Sequence, residues 1–389
     1  MTNIPEDFIK ELNNLLGEES TELVKALNLP PITSVRLNKR KQVEAFSNED
    51  KVPWCESGRY LKERPEFIFD PLLHAGAYYV QDASSMIYEY ITSVIIGKFE
   101  SYHKTDNNPS TGLRVLDMCA APGGKTTAMI NALPDGTEVV ANEYTRKRVA
   151  ALQENIDRWG YPNVQVTNKD SSFYAGQGEN FDIVAVDAPC SGEGMMRKEE
   201  IARTQWSLNL VNQCAHLQKE ILKNAVEALK PGGFLIYSTC TFNRQENEEN
   251  AEFIRTELGL KPFDPEFKPE WGIPGGIGTD LPVYRFIPHK TCGEGLFLAV
   301  FQKEGEWLPS KPLRKPQSIV EKKTKDFPKI DVDKATALSY LRGESIVLPA
   351  ESPKGMVTIT YMGLPLGEAK NIGTRANNHY PKNRRILKR

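Results

Sequence analysis

From Gly112 to Gln302 short apolar runs alternate with amphipathic stretches of helical period, the pattern of a parallel sheet covered by helices on both faces. The runs predict strands over residues 114–118, 138–142, 164–167, 183–187, 234–238 and 296–301. Apolar positions spaced three and four apart predict helices over 125–133, 145–159, 210–229 and 245–258. The last has Asn243 as a candidate N-cap and Glu246 three residues on, the spacing of a capping box. Upstream, residues 5–29 read as two helices, with Phe8, Leu12, Leu15 and Leu16 on the first and Leu23, Val24 and Leu27 on the second. Residues 34–38 predict a short strand, 65–71 a further extended stretch, and the polar segment 101–111 a loop. Beyond the alternating region, Pro309, Pro312, Pro316 and Pro328 among many lysines predict a linker over 305–334. A folded pattern then resumes, with a helix over 335–341, a strand over 356–361 and a tight turn at 363–367. The chain therefore divides at about residues 100, 304 and 334, and its fold class is α/β.

At 389 residues, 40% hydrophobic and 26% charged, the composition is that of a globular protein with room for a catalytic core and small additional domains. Residues 1–14 carry Glu6, Asp7 and Glu11 and lack the apolar core of a secretory signal. The greasiest stretch, 91–96, is too short to cross a membrane, so a cytoplasmic protein with no membrane partner is expected. The six cysteines, at 55, 119, 190, 214, 240 and 292, form no CxxC pair. That argues against a disulfide scaffold and against a metal site, and most free cysteines are buried small hydrophobes. Charge is uneven: residues 305–389 carry a net +9 and the first 304 carry −11. A basic end on an acidic body suits a polyanionic partner, or a merely solvated tail.

Three segments carry candidate chemistry. Asp117-Met118-Cys119-Ala120-Ala121-Pro122-Gly123-Gly124-Lys125-Thr126 joins a strand to a helix through small residues, so a ligand can approach the backbone and the free N–H groups of the helix start. It is not a phosphate-binding P-loop, because Cys119 stands where that spacing needs glycine. Acidic residues recur near successive strand ends, at Glu143, Asp170 and Asp187, and a carboxylate after the second strand can accept hydrogen bonds from ribose hydroxyls. The sharpest signal is a pair of cysteines: Asp187-Ala188-Pro189-Cys190-Ser191-Gly192-Glu193-Gly194 follows the fourth strand and Tyr237-Ser238-Thr239-Cys240-Thr241 the fifth. Adjacent strands would bring both sulfurs to one mouth of the sheet.

These three segments together resemble the Nop/Sun family of RNA cytosine-C5 methyltransferases. Residues 35–38 (Val-Arg-Leu-Asn) and 76–85 are similar to that family's upstream elements. The tail, with residues 363–367 and 377–382, is similar to the PUA-like RNA-binding end of the bacterial RsmF-type subgroup, which modifies small-subunit ribosomal RNA. The resemblance implies a Rossmann-like methyltransferase core, an α+β N-terminal domain that scaffolds or binds RNA, and a small PUA-like C-terminal domain. It implies S-adenosyl-L-methionine as cofactor and ribosomal RNA or the small subunit as partner. Cys240 is implied as the nucleophile, Cys190 as the group that assists resolution of a covalent adduct, and Asp187 as the carboxyl beside the reacting ring. Cys119, Ala120, Ala121, Pro122, Gly123, Gly124, Lys125, Glu143, Asp170 and Asp187 are implied to line the cofactor site, with Arg148 beside them. Asp170 would suit the adenine amine.

Two readings compete with it. DNA cytosine methyltransferases use a Pro-Cys after the fourth strand, which Pro189-Cys190 also matches. A non-catalytic RNA-binding assembly factor on the same fold would show decay of the glycine loop or loss of a thiol, and neither has occurred. Cys55, Cys214 and Cys292 have no supporting motif. Trp159, Trp206 and His216 read as core or helix-face residues, while Tyr380 and Arg385 are open to either packing or stacking on RNA bases.

Overall fold

A computed structural model describes residues 3–41, 43–102, 112–308 and 327–387. Most of the loop read at 101–111, and Pro309, Pro312 and Pro316 of the linker, lie outside them.

The N-terminal part begins with helices α1 (Glu6–Leu16) and α2 (Ser20–Leu27). Strands β1 (Thr33–Leu37), β2 (Lys51–Val52), β3 (Cys55–Leu61) and β4 (Tyr78–Val80), with the short helix α3 (Pro71–His74) before β4, form an antiparallel sheet in the order β2-β3-β1-β4. The stretch expected to be extended at 65–71 is instead a 3-10 turn at Phe67–Phe69 leading into α3. Asp70 caps that helix, accepting from Leu72 N at 3.0 Å, with Pro71 at its first position; a proline fits a first helical turn as well as an extended run. Helix α4 (Ile87–Tyr102) then lies against the central sheet.

The core has strands β5 (Arg114–Asp117), β6 (Glu138–Asn142), β7 (Val164–Thr167), β8 (Phe181–Asp187), β9 (Leu229–Thr239), β10 (Lys261–Pro262), β11 (Val283–Phe286) and β12 (Leu296–Gln302). Its helices are α5 (Gly124–Ala132), α6 (Arg146–Trp159), α7 (Ser172–Ala175), α8 (Glu200–Gln205), α9 (Leu208–Ala228) and α10 (Glu248–Thr256). The strand order is β10-β12-β9-β8-β5-β6-β7, with β11 also paired to β12. Strands β5 to β9 run parallel and β12 runs against β9.

Strand alternation sorts the two faces. Val115, Ile183, Phe234 and Leu298 pack with α4 and α5, and their neighbours Leu116, Val184, Leu235 and Ala299 pack with α9 and α10. Each fully buried Val, Leu, Ile or Phe side chain among them contributes roughly 1.5–3 kcal/mol. After β12 the chain returns to the sheet's lower edge, where Trp307 stacks on Phe99 at 4.4 Å and donates to Asp182 Oδ1 at 2.8 Å.

At the C-terminal end, β13 (Lys329–Asp331), α11 (Lys334–Leu341), β14 (Gly355–Tyr361), β15 (Leu364–Asn371) and β16 (Ala376–Asn378) form a small domain with sheet order β13-β14-β15-β16. Strand β13 lies inside the stretch read as linker; three residues are too few to show a period. The turn expected at 363–367 is instead Met362–Gly363, with φ of 51° and 76°, a two-residue hairpin connection. Pro365 is in β15, next to a register shift opposite Ile359 and Thr360. Ala75 and Phe69 join the cluster built on Tyr340, Leu341 and Ile386, so this domain seats on the N-terminal one. Tyr380 packs edge-on to Tyr340 at 5.5 Å and is buried. Among the described residues no helix is long and apolar enough to cross a membrane.

Candidate active site

The parallel strands all deliver their C-terminal ends to one edge. There β5 ends in Asp117, and the chain turns through residues 118–123 into α5. Gly123, at φ 108°, makes the left-handed step that lets α5 start with its N–H groups facing the edge. The helix start is held from behind by Arg36 on β1, which is fully buried. Its guanidinium donates to Gly124 O at 3.2 Å, Thr127 O at 3.1 Å, Thr127 Oγ1 at 2.6 Å and Gln81 Oε1 at 2.7 Å, and lies 4.6 Å over the Trp159 ring. The Val-Arg-Leu-Asn and Gln81 segments thus meet at the back of the glycine loop.

Beside that loop, Glu143 follows β6 and is buried. It accepts from Thr145 N at 2.7 Å and pairs with Arg148 at 3.2 Å, and Arg148 also reaches Ala121 O at 2.5 Å. Asp170, three residues beyond β7, is exposed. Its hydrogen bonds from the Ser172 hydroxyl and N–H hold its pKa below the ordinary value. Burial pushes the Cys119 thiol well up and the Asp117 carboxyl up to about 7; Asp187 adds to both, and the Thr126 hydroxyl, 2.6 Å from Asp117, opposes the latter.

Strands β8 and β9 are adjacent and place Asp187 opposite Ser238. The two cysteine loops follow directly, and Cys190 Sγ lies 3.2 Å from Cys240 Sγ. Asp187 Oδ1 accepts from Ser238 Oγ at 2.7 Å, and Oδ2 accepts from Lys125 Nζ at 2.8 Å. Burial works against the Lys125 charge, yet Asp187 holds its pKa above that of a free lysine. The thiol contact with Cys240, then burial, push the Cys190 thiol far up. Asp187, Lys125, Cys190 and Cys240 are thus gathered at one point, with Cys119, Ala120, Ala121, Pro122, Gly123, Gly124 and Glu143 beside them and Asp170 at the rim.

Several side chains here carry no signal in the motifs alone. Tyr88 of α4 is fully buried and bonds Ser238 Oγ at 2.8 Å, which completes a line from the N-terminal part to Asp187. Glu193 ties the two loops together: it accepts from Phe242 N at 2.6 Å, Asn243 N at 2.9 Å and Trp206 Nε1 at 3.0 Å, while Gly194 N donates to Cys240 O at 2.7 Å. Glu246 and Asn243 are not a helix cap. Helix α10 begins at Glu248, and although Glu246 N donates to Asn243 Oδ1 at 2.9 Å, the Glu246 carboxylate turns inward to Ser191. A buried loop that needs an acceptor outcompetes the helix start for that carboxylate. Of the unassigned cysteines, Cys55 is buried, Cys214 half-buried and Cys292 exposed.

Residues 105–302 match the family model described as 16S rRNA methyltransferase RsmB/F. Residues 4–83 match the N-terminal domain of 16S rRNA methyltransferase RsmF, and 327–386 match the methyltransferase RsmF PUA domain. The chain is 33% identical over 374 residues to the ribosomal RNA small subunit methyltransferase F of Photobacterium profundum, covering 90% of this chain and 74% of that one. It is 31% identical over 407 residues to the protein of the same name from Vibrio vulnificus, covering 96% and 82%. Among solved structures, NSun6 from Pyrococcus horikoshii shares the fold with a TM-score of 0.65 at 22% identity, over 78% of this chain and 99% of that one.

Proposed function

Because the chain belongs to the 16S rRNA methyltransferase RsmB/F family, we propose that it methylates carbon 5 of a cytosine in small-subunit ribosomal RNA through a covalent bond to Cys240. The cofactor is S-adenosylmethionine, which supplies a methyl group on a positively charged sulfur. The residues present suit it: the α5 N–H groups behind Gly123 offer donors, and the buried Glu143 offers an acceptor at the same edge. Residues 119–125, Glu143 and Asp187 line this site, with Asp170 at its rim and Arg148 holding Glu143 and the loop carbonyl of Ala121 together.

Carbon 5 of cytosine is a weak nucleophile, so a bond from the Cys240 sulfur to carbon 6 forms first. The ring electrons then move towards carbon 5, which takes the methyl group as the methyl–sulfur bond breaks and its electron pair is left on the cofactor sulfur, a neutral thioether leaving group. Asp187, fixed between the Ser238 hydroxyl and the Lys125 ammonium, stabilises the adduct at the ring nitrogen. For release, the carbon 5 proton passes to a base, the carbon 6–sulfur bond breaks, and its electron pair returns to Cys240 as thiolate. Cys190 assists this last stage.

The observation that carries the reading is the 3.2 Å approach of two thiols at the strand edge bearing the Asp187–Lys125 pair. The C-terminal domain, matched by the RsmF PUA model, serves RNA binding. Mapping of 5-methylcytosine in ribosomal RNA from cells with and without the gene tests the proposal. A site lost on deletion, restored by the wild-type gene and not by Cys240→Ala, is expected; an unchanged map would overturn it.

A further inference from the structure

Four donors converge on one fully buried carboxylate beneath the thiol pair. Glu246 Oε2 accepts from Ser191 N at 3.0 Å and Gln218 Nε2 at 2.7 Å. Its Oε1 accepts from Asn243 Nδ2 at 2.8 Å and from the Ser191 hydroxyl. Gln218 Nε2 also donates to Pro189 O at 2.9 Å. Both sequence neighbours of Cys190 are therefore tied to the cluster around Glu246. The Cys240 segment is held mainly by other groups. Asn247 donates to Thr241 O at 3.0 Å and accepts from Thr239 Oγ1 at 2.5 Å, and Glu193 takes the N–H groups of Phe242 and Asn243.

All four donors to Glu246 are neutral, and among the described residues it forms no ion pair with Lys, Arg or His. Burial raises its pKa, and the donors from Ser191 and Asn243 oppose that. Three of the donors, Ser191 N, Gln218 Nε2 and Asn243 Nδ2, can only donate, and the Ser191 hydroxyl can join them, so the hydrogen bonding favours the anion against the burial.

We propose that Glu246 is the positioning residue for Cys190: it fixes the 189–191 loop against Cys240 and, as a buried anion on the Cys190 side, confines the negative charge of the thiol pair to Cys240. The inference rests on the reading of Cys240 as nucleophile. Two sulfurs in contact in a weakly polarisable site hold one negative charge between them, not two. The titratable groups around them are Asp187 and Lys125 at the strand edge, Tyr237 on β9, Cys214 on α9, Glu193 in the loop after Cys190, and Glu246. Asp187 and Lys125 balance each other, and the Lys125 ammonium also attracts a thiolate at Cys240. Glu193 Oε2 is engaged by the backbone N–H groups after Cys240. Glu246 is left to repel a thiolate at Cys190.

Alkylation by iodoacetamide across a pH series, with peptide mass spectrometry reading each cysteine separately, tests this. In the wild-type protein Cys240 should be labelled first. Glu246→Gln keeps the size and removes the charge; the Cys240-to-Cys190 labelling ratio should fall by about tenfold, the effect of one pKa unit, as the Cys190 profile moves to lower pH. Glu246→Asp, which keeps the anion on a shorter arm, should stay nearer the wild-type ratio. A loop that had only lost packing would label both cysteines faster without moving the Cys190 profile along the pH axis. An unchanged ratio in folded Glu246→Gln overturns the role of Glu246 and leaves Cys240 as nucleophile. Labelling of Cys190 before Cys240 in the wild type overturns the nucleophile reading itself. If Glu246→Gln shows no thermal transition, Glu246→Asp decides: Cys240-first labelling supports the inference and Cys190-first labelling overturns it.

Discussion

A thiol that attacks and a thiol that releases are the same chemical group, and their separate losses tell them apart. Cys240→Ser should abolish methyl transfer on a verified RNA while leaving cofactor affinity within a small factor, since a serine hydroxyl stays protonated near neutral pH. Near-wild-type turnover would sink the assignment. Cys190→Ala should still bond RNA and transfer the methyl group, then stall; a denaturing gel should show an RNase-sensitive slow band, absent from Cys240→Ala and from the double variant. The reverse pattern would make Cys190 the nucleophile. Asp117 gives a prediction in pH. Its carboxyl is raised to about 7 by burial, so between the ordinary aspartate value and 7 the folded protein holds a proton that the unfolded chain has lost. Stability then falls as pH rises through that window. Asp117→Asn, which cannot ionise, should gain on the wild type by about 1–4 kcal/mol between pH ~4 and ~7, read from denaturant midpoints; a gap that stays flat with pH would contradict it. At this scale the sequence is informative where chemistry and motif coincide. The two cysteines follow adjacent strands, so their meeting is legible from order alone. Glu246 is not, because a carboxylate three residues after an asparagine has the spacing of a helix cap, and only packing reveals that it faces Ser191.

Among the elements, strands β5 to β9 and helices α5, α6, α9 and α10 lie within a few residues of their sequence expectation, because short apolar runs give way to a 3.6-residue period, whereas α7 and α8, of four and six residues, are too short to show one. Helix α4 is different: Ile87, Tyr88, Ile91, Ile95 and Phe99 share one side, but Glu89, Thr92 and Ile96 beyond it are buried as well, and a helix covered around more than half its girth shows no clean division into apolar and polar faces. The short strands β2, β4, β10 and β13 carry too few residues for any period. The ends of β6 and β7 supply a separate test of the cofactor site. Glu143→Ala should weaken binding of cofactor or product by about 1–3 kcal/mol in calorimetry, the cost of losing a hydrogen bond to a charged acceptor. Asp170→Ala should cost less, because Asp170 is exposed and already accepts from Ser172. Unchanged affinity in both would mean that the cofactor lies elsewhere.

For the whole molecule, part of the basic end acquires a location: described residues 327–387 carry nine Lys and Arg against five Asp and Glu. The C-terminal domain docks on α3 through Ala75 and on α6 through Arg384, which donates to Asp157 at 2.6 Å. Deleting residues 327–389 should lower RNA affinity and reduce the steepness of its salt dependence, by about 0.7–0.9 in the logarithmic slope for each RNA phosphate that the shortened protein no longer neutralises. Cofactor binding should survive, because among the described residues the hydrogen bonds of the glycine loop and Glu143 stay within the core and the N-terminal part. An unaltered salt slope would remove RNA binding from the domain.

The Arg36 clamp has a consequence in the order of synthesis. Chains emerge from the ribosome from the N-terminus and domains generally fold as they appear. Strands β1 and β4, which carry and orient Arg36 through Gln81, are made before the glycine loop and α5. A sheet that formed as it emerged would present to the nascent loop a guanidinium that needs the carbonyls of Gly124 and Thr127. Residues 33–81 carry the surface against which the glycine loop and the start of α5 are held, and a gene fragment that began at β5 would encode the motif without it.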